Sequence, residues 1–386
     1  MAAPWIGIVN QAIPEYLRDV LDTTVYKRLW MAMIQNRGRL TTGVNGSYES
    51  RFPLDWREAP VTTLAYGQDI AFAPQDYLKW GSLEWKALVA ADLMHVIEYM
   101  KIANSPNTVV DRYKQIVPKL ISAIKNQIGL QIYNNANASG KTEDFDGLET
   151  ACGTVEAAGS ITDATCDVLD IVAAHSTTAT YLGLPTYLSQ SGTWSTTMAH
   201  SRGVQPNYVI NSDWPEGSGD SEYGYRAPKL LNWSSSAWGT SAVTWESNCQ
   251  RAISRAAMWI RNTAGGEGNG SSLMAMLSTN LMSGFKNSLR ASTLILSPHK
   301  EAEQLGFGDV LNFEGVGVYS EYGCPINTGY ILDMDDLELK FISKDIVESR
   351  GPFETPEGSY KWSAISLGNF KFDPRRLAKL FNYAAA

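Results

Sequence analysis

Residues 43–149 run as a Pro- and aromatic-studded extended segment into a long amphipathic pattern and end in Phe145-Asp146-Gly147-Leu148-Glu149. The first part carries Phe52, Pro53, Leu54, Trp56, Pro60, Leu64, Tyr66, Phe72 and Pro74. That is too apolar to hang free in water and too long for an ordinary internal loop. A chain with such an arm needs something outside the arm's own domain to cover it.

The rest of the composition supplies ordinary cores. A length of 386 residues with 44% hydrophobic content is enough for two or three of them and excludes a disordered chain. No run approaches the roughly 18–20 apolar residues of a membrane span, since residues 88–100 are broken by Asp92, His95 and Glu98. The start, Met-Ala-Ala-Pro-Trp-Ile-Gly-Ile-Val-Asn, has neither a basic stretch nor an apolar core of signal-peptide length, so a soluble cytoplasmic product is expected. A net charge of −8 argues against a surface that grips phosphate through clustered Lys and Arg; contact with DNA is expected to be loose. Cys152, Cys166, Cys249 and Cys324 lie too far apart for a paired-cysteine zinc site and read as reduced structural thiols.

Periodicity assigns elements along the chain. Leu17, Val20, Leu21, Val25, Leu29 and Met33 predict a helix over 14–36, stopped by Gly38. Alternation of Phe52, Leu54 and Trp56 and the later Ile70 and Phe72 predict two strands of a long hairpin, with turn signals at Pro60 and Gly67. Leu83, Leu88, Met94, Ile97 and Met100 form a less regular helical pattern. Val110, Tyr113, Val117, Leu120, Ile124, Ile128 and Ile132 predict a helix over 107–134, roughly 40 Å long, with Pro118 marking a kink or a shifted boundary.

Beyond residue 153 the texture turns to Ser, Thr, Gly and aromatics, a loop-heavy stretch reaching about 241. Trp245, Cys249, Ile253, Ala256 and Ile260 then fall on one helical face. A glycine-rich break at 265–270 precedes a helix over 274–283, a buried strand at 293–296, and a short helix through Leu305 capped by Ser297-Pro298. Strands are expected at 316–319, 330–332, 337–341 and 360–370, with a loop over 349–358. Helices and strands do not alternate regularly, which favours an α+β plan over a doubly wound sheet.

Motifs of chemistry are incomplete. Ser139-Gly140-Lys141-Thr142 copies the tail of a phosphate-binding loop, but Asn135 stands where the loop needs its first glycine, and a helix precedes it instead of a strand. Gly266-Glu-Gly-Asn-Gly270 is spaced wrongly for a dinucleotide fingerprint. His95, His175, His200 and His299 have no second ligand at helical spacing, and no Gly-x-Ser-x-Gly elbow presents a serine. Asp335 and Asp336 read as charges at a strand start, where neighbours point to opposite faces and cannot share a metal. Twelve Trp and eighteen Tyr suit sugar stacking and subunit contacts equally.

Taken in order, these pieces resemble the major capsid protein of tailed double-stranded-DNA phages, the Hong Kong 97-like coat fold. Residues 44–82 look like its extended E-loop and 107–134 like its spine helix; Phe145-Asp-Gly-Leu-Glu-Thr150 resembles the Gly-Gly-Leu entry to the axial domain. Residues 245–262, Thr293-Leu-Ile-Leu-Ser-Pro298 and Gly329-Tyr-Ile-Leu-Asp-Met-Asp-Asp-Leu-Glu-Leu339 resemble the axial core and the return from it. The resemblance implies an α+β fold with an N-terminal arm (1–42), an E-loop hairpin (43–82) and a peripheral domain with the spine helix (83–150). An axial domain (151–329, with an inserted region at about 155–230) would follow, then a return to the peripheral sheet with the three-fold loop and C-terminus (330–386).

It also implies a structural role and no catalysis, cofactor or metal. Copies of the chain would close as hexamers and pentamers into an icosahedral shell around the phage's double-stranded DNA, in a virion assembled in the host bacterial cytoplasm. Partners would be self, portal, possible decoration proteins and a separate scaffold if one is used, since the arm helix leaves no room for a leading one; no membrane is involved. Inter-subunit contacts would fall on Phe52, Leu54, Trp56, Arg57, Glu58, Leu64 and Tyr66 of the E-loop and on Arg350, Phe353 and Glu354 of the three-fold loop. Two other readings remain open: an encapsulin-type nanocompartment shell of the same fold, and a glycan-binding protein or glycosidase using the Trp-rich middle. Some members of the family weld an E-loop lysine to a neighbour's asparagine, but residues 40–78 contain no lysine. Boiled particles are therefore expected to run as monomer-sized bands in denaturing gels, and a ladder of covalent oligomers would overturn this.

Overall fold

The computed structural model describes residues 28–44, 49–55, 78–94, 106–152, 180–185, 228–233, 244–263, 272–291, 298–307, 309–354 and 359–382. The chain first turns helical at Leu29–Asn36 (α1), which is buried all round from Leu29 to Ile34. Gly38 ends it, with φ of +67° that an L side chain rarely adopts. Strand β1 (Leu40–Thr41) is short, and β2 (Glu49–Asp55) and β3 (Leu78–Glu84) form an antiparallel hairpin. One residue, Trp85, separates β3 from β4 (Lys86–Met94).

Helix α2 (Pro106–Gln131) holds Pro118 inside its span. Its apolar stripe of Val117, Ile121, Ile124 and Ile128 is buried, as a 3.6-residue period requires of a helix lying on a sheet. Beyond Gln131 the chain doubles back, Leu148 N–H donating to the Ile132 carbonyl at 2.7 Å, into α3 (Leu148–Cys152). Three short strands, β5 (Thr180–Tyr181), β6 (Leu184–Pro185) and β7 (Lys229–Asn232), precede α4 (Trp245–Thr263). The remainder comprises β8 (Leu273–Leu277), α5 (Thr279–Ala291), α6 (Lys300–Gln304), β9 (Leu311–Phe313), β10 (Val316–Ser320), β11 (Gly329–Asp333), β12 (Glu338–Phe341), β13 (Glu348–Glu354), β14 (Tyr360–Lys371) and β15 (Leu377–Phe381).

Two sheets organise these elements. In the first, β14 is the backbone: nine of its twelve residues pair with β4 along one edge, and it pairs with β13 and then β12 along the other, β1 adding beyond β12. The second has six strands in the order β7-β15-β11-β8-β10-β9. Its two faces feed two cores. Leu273, Ala275 and Leu277 of β8 pack with α4 and α5, through Cys249, Ile253, Ile260, Phe285 and Leu289. Met274 and Met276, on the opposite face, join α1, α2 and the inner face of the first sheet. Phe370 sits at the centre of that larger core, its ring 5.9 Å from Trp30 and 5.8 Å from Phe145.

Several expectations from periodicity are met. The first strand of the hairpin, the helix at 245–263 and the strands at 316–320, 329–333, 338–341 and 360–371 all form, while the strand that pairs with the first is Leu78–Glu84, beyond the Ile70 and Phe72 that suggested it. The helix expected over 107–134 runs unbroken through Pro118 as Pro106–Gln131.

Others are corrected. Residues 83–94 are strand, not helix: alanine and leucine there favour a helix locally, but nine consecutive pairings with β14 outweigh that preference. The helix expected over 274–283 is strand to Leu277 and helix only from Thr279, because a strand buried on both faces carries no alternation to betray it. His299, not Ser297-Pro298, caps α6, its ring nitrogen accepting from the Ala302 N–H at 3.4 Å. Asp335 and Asp336 lie on the turn between β11 and β12. Asp335 pairs with Arg37 at 2.5 Å, and Asp336 accepts from the Asp373 N–H.

Segment 330–386 serves both sheets: β12 to β14 return to the first, while most of β11 and all of β15 belong to the second. Residues 14–27, Ile70 and Phe72, the glycine-rich 265–270, the strand expected at 293–296 and most of 155–230 lie outside the described residues. Truncating Phe370 to Ala is expected to lower the unfolding free energy by roughly 3–5 kcal/mol in urea titrations, the cost of a cavity where two rings lose their partner.

Candidate functional site

Strand alternation divides the β2–β3 hairpin into two unlike faces. One carries Gly81, Leu83 and Phe52: Leu83 and Gly81 are buried, and the Phe52 ring lies 5.0 Å from the Lys371 ammonium of the same chain. This face anchors the root of the hairpin on its own body. The opposite face carries Leu78, Trp80, Pro53 and Arg51, all exposed, with Trp80 at 64% and Leu78 at 51%. Together they make an exposed apolar patch of the kind that marks a contact site.

The first sheet is likewise two-sided. Its inner face, with Trp362, Ala364 and Phe370, is buried, and Met94, Ile116 and Trp362 cluster where α2 crosses it. On its outer face stand Val89 at 61%, Leu93 at 49% and Phe353 at 55% exposure. Register places them together: Leu93 and Phe353 both pair with Lys361, and Val89 pairs with Ile365. Charges rim the patch, where Arg350 and Glu348 sit 3.5 Å apart on the edge strand.

That edge is shaped by β13. Its register shifts between Arg350 and Phe353, and Gly351, with φ of +118°, comes so close to β14 that a Cβ would lie 2.7 Å from the Lys361 carbonyl. The bulge breaks the regular ladder that an edge strand otherwise offers to stray partners.

The two open apolar surfaces lie apart among the described residues. Trp85 alone joins β3 to β4, and the hairpin root sits at the end of β14 holding Asn369 and Lys371, where the Asn369 side-chain amide donates to the Glu84 carbonyl at 2.8 Å. Leu93 lies at the far end of β4, opposite Lys361.

Of the E-loop residues expected at an interface, Phe52 is half-buried against its own body and Leu54 is placed on β2 opposite Lys79, a hairpin lysine that lies just past the lysine-free 40–78. Trp56, Arg57, Glu58, Leu64 and Tyr66 lie outside the described residues. Arg350, Phe353 and Glu354 are exposed, but on strand β13 instead of the expected loop; its glycine and proline suggested a loop, and a bulged strand also accommodates them. Leu78, Trp80, Val89 and Leu93 went unremarked in the sequence. Their alternation with Lys79, Gly81 and Ala90 was the available signal, hidden by a competing helical period.

The residues weighed for chemistry occupy structural places. Ser139 to Thr142 lie in turns after α2, with Gly140 at φ +77°. Burial pushes the thiols of Cys152, Cys249 and Cys324 up, and the described cysteines are free. Among the described residues no group of His, Cys, Asp and Glu is arranged to hold a metal ion, and no helix is long and apolar enough to cross a membrane.

No family model and no curated protein matches this sequence. Among solved structures, a chain of the cyanophage A-1(L) capsid asymmetric unit superposes with a TM-score of 0.52 at 14% identity, covering 93% of both chains. Weaker overlap, at TM-scores of 0.45, is found with the capsid of an empty GTA particle (9% identity, 90% of this chain and 95% of that one) and the mature capsid of bacteriophage PhiM1 (10%, 90% and 86%). The fold is the α+β Hong Kong 97-like coat fold. Trp80→Ala and Phe353→Ala, which remove exposed groups, are expected to change subunit stability by less than about 0.5 kcal/mol in urea titrations.

Proposed function

We propose that this chain is the major capsid protein of a tailed phage. Copies join by laying the Trp80 face of one hairpin over the Val89–Leu93–Phe353 sheet of the next, and close as hexamers and pentamers into an icosahedral shell around double-stranded DNA. The observation that carries the reading is that one chain bears two apolar surfaces that lie apart among the described residues. Such a contact is heterologous, each copy giving one surface and receiving on the other, and heterologous contacts close into rings when the rotation permits.

The energetics fit. Covering each large side chain contributes about 1.5–3 kcal/mol before the cost of association. Trp80 and Phe353 are of the residue types that commonly anchor interfaces. The expected E-loop tip, with Trp56, Arg57, Glu58, Leu64 and Tyr66, would extend the same contact across the neighbour, and Arg350 and Glu354 would meet another copy at the three-fold corner. Assignment of residues 1–42 to an arm, 83–150 to a peripheral domain and 151–329 to an axial domain belongs to the same proposal. So do the virion as its location, a portal, a separate scaffold and possible decoration proteins. An acidic chain suits a container whose DNA is driven in by another machine and touched loosely.

Trp80→Ala and Trp56→Ala are expected to raise the concentration needed for particle formation by tenfold or more, about 1.4 kcal/mol per contact, while the subunit's melting midpoint stays put. Light scattering and electron microscopy of the purified chain provide the readout. Unchanged assembly of both variants would remove the hairpin from the interface, and a wild-type chain that stays monomeric under all conditions would sink the shell reading itself. Native particles holding protein cargo and no genome-length DNA would replace the phage reading with a nanocompartment.

A further inference from the structure

Two helices of this acidic chain carry the opposite charge. Helices α4 and α5 hold five cations, Arg251, Arg255, Arg261, Lys286 and Arg290, against one anion, Glu246, a balance of +4 within a total of −8. The average over the chain, which argued against clustered Lys and Arg, conceals them.

The fold gathers these charges on one surface. The two helices lie side by side on the six-stranded sheet, joined by Trp245 Nε1 donating to the Leu281 carbonyl at 2.6 Å and Gln250 Nε2 to the Ser288 hydroxyl at 3.3 Å. Cys249, Ile253, Ile260, Phe285 and Leu289 face the core. With 3.6 residues per turn, Arg251 and Arg261 of α4 and Lys286 and Arg290 of α5 therefore fall on the outward side. Arg251, Lys286 and Arg290 are exposed and Arg261 is half-buried.

Little on the subunit offsets them. Among the described residues no carboxylate pairs with Arg261, Lys286 or Arg290; Arg261 Nη2 donates instead to the Glu314 carbonyl at 2.8 Å. Arg375 and Arg376, in the turn that packs against α4, are different: each has its own carboxylate, Asp373 at 2.7 Å and Asp333 at 3.3 Å. Glu246 stands at the margin, accepting from the Asn287 amide at 3.1 Å.

What lies between the cations selects the partner. Ser247, Ser254, Ser283 and Asn287 are small donors of the types that contact phosphate oxygens alongside Arg and Lys. Four of the five cations are arginine, whose planar fork takes two phosphate oxygens at once. An acidic protein would also satisfy the charge, but protein contacts are anchored by large apolar side chains. Met258, at 54%, is the one large apolar group exposed on the described part of these helices.

We propose that the outer face of the α4–α5 pair docks the phosphate backbone of double-stranded DNA without reading its sequence. The proposal rests on the shell reading for the source of that DNA, the packaged genome, and it turns this face toward the lumen. Arg251 and Arg261 stand about 15 Å apart along α4, so the pair of helices reaches about three phosphates. Contact of that size is weak and salt-dependent, as suits DNA that must slide past while it is driven in.

Fluorescence anisotropy of a labelled random-sequence duplex, titrated with the full unassembled chain at low salt, tests the face. The logarithm of the binding constant is expected to fall with the logarithm of salt at a slope of about −3. Joint Lys286→Glu and Arg290→Glu substitution is expected to weaken binding tenfold or more and to bring the slope to about −1, with the melting midpoint unchanged. Lys300→Glu with Lys344→Glu makes the same charge change at exposed sites on α6 and between β12 and β13, and is expected to cost less than about threefold. No binding at low salt, an equal loss in both double variants, or labelled poly-glutamate binding as tightly as duplex would overturn the proposal. Light scattering judges the shell reading separately: the Lys286→Glu, Arg290→Glu chain is expected to assemble as wild type does. A chain that never assembles yet binds duplex through Lys286 and Arg290 would keep the docking face and remove only the packaged genome as its ligand.

Discussion

Strand β3 passes into β4 through a single residue, and that covalent shortness governs the surface of the molecule. With Trp85 as the whole connection, the hairpin is rooted at the end of the sheet where Lys371 and Phe52 meet, and Leu93 lies at the far end of β4. Two apolar surfaces, one on the hairpin and one on the outer sheet, are thus exposed on every copy. Hydrophobic burial is non-directional, but in the proposed assembly chain connectivity gives it a direction, from one subunit to the next.

A contact of that kind is only as good as the rigidity of its two parts, since ordering a loose surface on binding consumes the gain. The outer sheet is stiff because β14 is paired along both edges and packed from beneath by α2. The hairpin is fixed at its root by Leu83 and Phe52. Deeper in, α1 links the halves: Arg37 at its end pairs with Glu301 at 2.6 Å, and Trp30 packs on Phe370. Lys379 of the six-stranded sheet reaches Glu149 of α3 at 2.6 Å, the Tyr330 hydroxyl donating to the same carboxylate. Buried pairs like these add little net stability, but they penalise every arrangement of the two sheets except the one that satisfies them.

Long, strongly periodic segments were legible in the sequence. The apolar stripe of α2 and the face of α4 holding Cys249 and Ile260 needed only a 3.6-residue period, and the alternation of Leu339 and Phe341 only a period of two. What failed was local propensity against tertiary pairing. Lys86 to Met94 and Leu273 to Leu277 are rich in Ala, Leu and Met, yet one is held by β14 and the other is buried on both faces between β10 and β11. The candidate surface suffered from the same error. Val89 and Leu93, four apart, share a face in helix and strand alike, so only pairing with β14 sets them beside Phe353. Phe52 was picked out for its apolar character, which its own subunit already uses.

An electron-density map of assembled particles at side-chain resolution tests the central claim most directly. The account predicts the Trp80 ring of one subunit in contact with Val89, Leu93 or Phe353 of its neighbour around every ring of copies. A map in which Trp80 faces solvent, or in which that outer sheet is covered by its own hairpin or left bare, would contradict it.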